Sequence, residues 1–77
     1  MRELEYAVVL HPDPEVGGYS VTVPALPGVV TEGDTTEEAI AMAKDAIALY
    51  IEDLSAHGET IPVEDRALKI VKVRVAA

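Results

Sequence analysis

From Leu4 to Leu10 the sequence LEYAVVL puts Leu4, Tyr6, Val8 and Leu10 at alternate positions, with Glu5, Ala7 and Val9 between them. This period of two predicts a strand with one well-buried face and one mixed face. The next eight residues, HPDPEVGG, hold Pro12, Pro14, Gly17 and Gly18 as breakers and Asp13 as a turn residue, which predicts a hairpin loop longer than two residues. Residues 19–23, YSVTV, alternate Tyr19, Val21 and Val23 with Ser20 and Thr22, the pattern of a strand with one wet face. Pro24 ends that ladder because it has no N–H to donate, and Pro27-Gly28 marks a turn. Val29 to Thr31 is short and β-branched and predicts a third strand, antiparallel to the second.

The period then changes. Thr35, followed three residues later by Glu38, fits a capping box, and Glu37 and Glu38 put negative charge where a helix macrodipole favours it. Ile40, Ala43, Ile47, Tyr50 or Ile51, and Leu54 recur at steps of three and four, predicting a helix of roughly 20 residues with one apolar stripe. Ala39, Ala43 and Ala46 allow that helix to approach a sheet closely, and Gly58 is placed to end it. Leu68 to Val75, LKIVKVRV, is rich in β-branched residues and predicts a last strand that returns to the sheet. The expected fold is therefore α+β, in the order β-β-β-α-β: a small antiparallel sheet with one main helix packed on a face. Residues 1–77 are expected to form a single domain, with no internal repeat and no linker.

Composition narrows the function classes. A 77-residue chain has a small core, and without cysteine neither disulfides nor thiolate metal sites can reinforce it. Phe and Trp are also absent, so Val, Ile, Leu, Ala and the three tyrosines must supply the core. Association with further copies is the remaining source of buried area, and a homo-oligomer is expected. The net charge of −8, from fourteen acids against six bases, works against direct binding to a phosphate backbone and suits a basic partner or plain solubility. No apolar run approaches the ~20 residues of a membrane span, and no signal segment opens the chain, so the expected location is cytoplasmic.

The series G-Y-x-V-x-V-P at residues 18–24, L-P-G at 26–28, E-G-D-T at 32–35, E-A at 38–39, Ala46, and G-x-x-I-P at 58–62 resembles the HicB-like antitoxin family over roughly residues 4–64. Tyr19, Pro24, Pro27, Gly28, Gly33 and Thr35 are the structural positions of that motif. The resemblance implies a fold like a trimmed ribonuclease H core without the nuclease. It also implies a role in neutralising HicA, a small basic RNA-cleaving toxin, by covering its active site. Many members carry a C-terminal segment that binds operator DNA. Here no helix-turn-helix pattern follows Leu68, so no separate DNA-binding domain and no direct DNA binding are expected, unless LKIVKVRV serves as a strand of a dimeric ribbon. Val29 stands where the family often has Cys, an exchange that keeps the position apolar.

Candidate chemistry is sparse. Two-metal phosphodiester cleavage needs several carboxylates converging on Mg²⁺. The first strand has no Asp at its centre, and Asp45 and Asp53 point mostly to solvent on the helix. His11 and His57 each sit beside a turn, without the nucleophile or metal partner that histidine catalysis requires. Gly28 and Gly33 have P-loop spacing, but Asp34 occupies the lysine position and would repel phosphate. No enzyme activity, metal or cofactor is expected. Glu32, Asp34, Glu37 and Glu38 form an acidic corner, and these four are the candidate contacts for a basic partner, alongside their capping and solubilising roles. A stand-alone oligomeric binding or structural module of the same fold, without a toxin, is the alternative; a residual hydrolase is the third reading.

Overall fold

A computed structural model describes residues 4–64 and 69–77 of the chain. Three strands, β1 (Val9–Pro12), β2 (Tyr19–Thr22) and β3 (Val30–Gly33), precede one helix, α1 (Thr36–Ala56). The sheet is antiparallel in the order β1-β2-β3, with Leu10 opposite Val21 and Val21 opposite Thr31. The α1 helix covers one sheet face, and the other faces solvent.

The β1–β2 loop is organised by Asp13, whose Oδ1 accepts from the backbone N–H of Glu15 at 2.9 Å and of Val16 at 3.3 Å. After β2 the sequence VPALPGV makes two consecutive turns: the Leu26 N–H donates to Val23 O, and the Val29 N–H to Leu26 O, both at 2.9 Å. Each turn has proline at its second position, where the fixed φ of the ring suits the geometry. Leu26, at their junction, is driven into the core and fully buried. The joint between sheet and helix is thus a corner whose centre is an apolar anchor.

The core consists of two adjoining groups. Val21, Ala39 and Ala43 pack with Val8, Leu10 and Tyr19, while Val23, Leu26 and Val29 pack with Tyr6, Ala46, Ile47 and Tyr50. Burying a side chain the size of Val or Leu is worth about 1.5–3 kcal/mol, and Leu26, Val21 and Val23 are the largest side chains fully enclosed. Close approach of α1 depends on Gly33. A Cβ there would meet the Ala39 backbone N at 2.5 Å and its Cα at 2.6 Å, so β3 and the first turn of α1 can touch only across a hydrogen.

Both ends of the helix follow the sequence reading. Thr35 has extended φ/ψ, and its Oγ1 accepts from the Glu38 N–H at 3.1 Å. His57 caps the C-terminus. Gly58 follows at φ +68, with its N–H donating to Ser55 O and the Glu59 N–H to Leu54 O, which together form a Schellman motif.

Three expectations are corrected. The first paired strand is Val9–Pro12, not Leu4–Leu10. Continuing the register, Val8 and Ala7 would lie opposite Val23 and Pro24, where the chain is already turning and proline offers no donor. Leu4–Val8 nevertheless keeps its alternation, with Tyr6 and Val8 packed on the core. Ile40, placed on the buried stripe, is 51% exposed. The small residues Ala39 and Ala43 take the line of closest approach and leave Ile40 at its margin. The last strand does not return to the sheet. Leu68 lies outside the described residues, and Lys69–Ala77 forms no ladder and is exposed throughout.

Candidate functional site

At the corner where β3 meets α1, Glu32, Gly33, Asp34 and Glu38 line a depression of about 330 Å³ together with Val16, Tyr19 and Met42. Each element contributes for a local reason. Glu32 projects from β3, opposite Ser20 in the register. Asp34 lies in the turn that buried Gly33 permits. Glu38 is fixed one turn into the helix because its own N–H is held by Thr35. Tyr19 starts β2, and Val16 belongs to the hairpin loop.

Three of the four acidic candidates are therefore brought together. Glu37 sits exposed in the same helical turn without lining the depression. Among the described residues, no lysine or arginine contributes to the lining. The helix N-terminus partly offsets the three carboxylates, which keeps them compatible with folding. The lining mixes three carboxylates with the apolar parts of Val16, Tyr19 and Met42, the kind of surface on which a lysine or arginine side chain can lay its methylene stem while its head meets the acids.

The other motif residues act structurally. Pro24 and Pro27 occupy the turns. Gly28 lies under Tyr50, with an added Cβ 3.2 Å from Tyr50 Cε1. His11 Nε2 is 3.0 Å from Thr22 Oγ1, and His57 Nδ1 is 2.8 Å from Asp53 O, so each histidine is engaged by its neighbours in the fold. Asp45 and Asp53 are exposed on α1 and, among the described residues, belong to no group of acids that could hold a metal ion.

Sequence reasoning missed the apolar part of this flank. A second depression, about 470 Å³, continues along the same side of α1 and is bordered by Val30, Ala46, Leu49, Tyr50 and Asp53. Val30 and Leu49 are each 68% exposed, and Met42 is 44% exposed. At roughly 100° per residue, Glu38, Met42, Asp45, Leu49 and Asp53 fall within a narrow arc of α1, alternating acid and apolar along its length. The signal was present in the sequence as Met42 and Leu49 seven residues apart, off the main stripe and in phase with three acids.

Residues 6–74 match the family described as HicB-like antitoxin of bacterial toxin-antitoxin system. A UPF0150 protein of Thermoplasma acidophilum is 49% identical over 59 residues, which cover 77% of this chain and 84% of that protein. Antitoxin HicB 1 of Photorhabdus laumondii is 41% identical over 63 residues, covering 82% of this chain and 40% of the antitoxin. Antitoxin HicB of Escherichia coli K12 is 38% identical over 60 residues, covering 78% of this chain and 43% of the antitoxin. This chain thus spans less than half the length of those two antitoxins. The crystal structure of the N-terminal domain of Burkholderia pseudomallei antitoxin HicB superimposes with a TM-score of 0.67 at 33% identity, covering 78% of this chain and 69% of that one. By the match of its residues 6–74 and by these relatives, this chain belongs to the HicB-like antitoxin family.

Proposed function

We propose that this protein is the antitoxin of a toxin–antitoxin pair, and that it binds a small, basic, RNA-cleaving toxin of the HicA type and covers its active site. The observation that carries the reading is the β3 flank of α1, where Glu32, Asp34 and Glu38 line a depression with Val16, Tyr19 and Met42, and a separate depression is lined by Val30 and Leu49. A toxin that cleaves RNA must present cations to phosphates. An acidic surface that engages those cations competes directly with the substrate. Long-range attraction speeds the encounter, and apolar contacts at Val30, Met42 and Leu49 hold the complex. The trimmed ribonuclease H-like core then works as a scaffold without nuclease chemistry, and neutralisation is by binding alone. The site of action is the cytoplasm, where such a toxin meets RNA.

The test is association kinetics with the cognate toxin. Glu32→Lys with Asp34→Lys leaves the fold intact, because both side chains are exposed. It is expected to slow association about tenfold or more at low salt. The difference should narrow at ~0.15 M salt, where screening limits such forces to about 8 Å. Equal on-rates for wild type and double variant at low salt would reduce the acidic corner to capping and solubility.

A further inference from the structure

The sheet has two edges, β1 and β3, and the chain treats them differently. The Asp13 N–H donates to Gly18 O, and from there the ladder bonds alternate along the register. Ser20 and Thr22 therefore turn their backbone groups to β1, and Tyr19 and Val21 turn theirs to β3. Across from these, Thr31 and Gly33 face β2, which directs the N–H and C=O groups of Val30 and Glu32 away from the sheet. On β1 the corresponding outward positions are Leu10 and Pro12. Pro12 has no N–H to offer, and proline at an outward position closes an edge to pairing. The segment before β1 is held by its own chain: the Tyr6 hydroxyl donates to Pro62 O, and the Ala7 N–H donates to Glu64 Oε1 at 3.0 Å.

β3 has no such guard. Its four residues, VTEG, include neither proline nor lysine. Among the described residues, no loop or side chain takes up the outward groups of Val30 and Glu32. Both side chains are exposed. An open edge pairs with an extended segment that reaches it, so the surroundings select the occupant. Glu32, Asp34 and Glu38 gather at the end of β3, while at its start Val30 borders a depression shared with Ala46, Leu49, Tyr50 and Asp53. A second copy of β3, or any acidic segment, would set like charges against one another here. The chain's own C-terminal residues follow Glu64, which is held at Ala7, on the far side of the sheet from β3. What fits is a basic segment from another protein.

Resting on the reading of this flank as a toxin site, we propose that the toxin binds by adding one of its own extended segments to β3 as a fourth strand. Its backbone pairs with the N–H and C=O groups of Val30 and Glu32. These two residues share the sheet face turned away from α1, because Val21, opposite the intervening Thr31, belongs to the core. On that face a lysine or arginine of the added strand lies opposite Glu32, and an apolar side chain two residues away lies opposite Val30. On the other face, alternate side chains of the added strand turn toward the flank of α1 that carries Met42 and Leu49. Main-chain pairing supplies affinity, and the alternate side chains supply specificity. The acids that select a basic strand also keep the unoccupied edge from pairing with another acidic chain.

The test is amide hydrogen exchange of the full chain, free and saturated with the cognate toxin. In the free protein Thr31 and Gly33, bonded to β2, are expected to be protected, and Val30 and Glu32 to exchange freely. With toxin bound, exchange at Val30 and Glu32 should slow about tenfold or more. Val30→Pro gives a second measurement. It keeps an apolar side chain and the ladder to β2, because the N–H it removes points outward. It is expected to speed dissociation of the complex about tenfold, and Val30→Thr, which keeps the donor, should have the smaller effect. Unslowed exchange at Val30 and Glu32 in the complex would overturn the added strand and leave the toxin reading standing. So would a folded Val30→Pro protein that dissociates no faster than Val30→Thr. Protection of these two amides before toxin is added would also overturn it, because a second copy or the chain's own C-terminal segment would then hold the edge. If wild type forms no complex with the toxin, the toxin reading itself fails and the added strand falls with it.

Discussion

Along the β3 side of α1 the residues are Glu38, Met42, Asp45, Leu49 and Asp53; along the β1 side they are Ile40, Lys44, Ile47 and Ile51. The two sets belong to one helix of 21 residues and differ only in angular phase. Between them runs the line of Ala39, Ala43 and Ala46, the small residues that let the helix settle on the sheet. The first flank is acidic with isolated apolar side chains, which remains stable in water and suits a partner that comes and goes. The second is apolar with one cation and lies beside the Leu4–Val8 segment, which the chain's own Pro62 and Glu64 hold at Tyr6 and Ala7. The comparison shows how a small fold with one helix can present two unlike surfaces on either side of its line of contact with the sheet.

The largest expected effect removes both flanks together. Leu26→Ala empties the centre of the double turn and should cost about 2–5 kcal/mol, read as a fall in the urea midpoint. With a core this small, an effect under about 1 kcal/mol would show that Leu26 does not anchor the corner. Gly33→Ala comes next. The new Cβ meets the backbone of Ala39, so α1 must shift away from β3, at a cost of about 1–3 kcal/mol. Because the shift acts on the β3 side, toxin binding should weaken while the helical circular dichroism is kept, and loss of both would mean that α1 needs its contact with β3 to form.

Thr35→Ala removes the hydroxyl that holds the Glu38 N–H and should cost about 0.5–2 kcal/mol, measured as a lower melting midpoint. An unchanged midpoint would place the start of the helix elsewhere. The smallest effect on stability, within about 0.5 kcal/mol, is expected for Leu49→Ser, since that side chain is 68% exposed. Its consequence should be selective: faster dissociation of the toxin complex with an unchanged mass by light scattering. A Leu49→Ser protein that bound toxin normally would confine the contact to the acidic corner.

Much of this architecture was legible because its causes are local. The alternation of Tyr19, Val21 and Val23, the donor missing at Pro24, the Thr35–Glu38 cap and the left-handed Gly58 each act over a few residues, so the sequence carries them in full. The limits of the strands did not follow in the same way. Leu4–Leu10 alternates correctly, but a ladder needs a partner, and β2 ends at Thr22 before it can supply one for residues 4–8. The acids of the corner were readable as a cluster. That Glu38 joins Glu32 and Asp34 around Val16, Tyr19 and Met42 while Glu37 does not depends on the angle at which α1 meets β3.

What the sequence by itself determined was the order of the three strands and the helix, the turn chemistry, the caps and the acidic balance, because each is set by backbone preference or by counting charge. Tertiary structure alone decided which apolar residues are left over. Ile40, Met42, Leu49 and Val71 are apolar like Val21 yet exposed, and only the phase of Met42 and Leu49 off the main stripe gives a local sign of it. They lie outside because one helix on one face of a three-stranded sheet encloses only the narrow strip between them. The width of that strip is fixed by the approach that Gly33, Ala39 and Ala43 allow, and the apolar surface beyond it remains for other chains to cover.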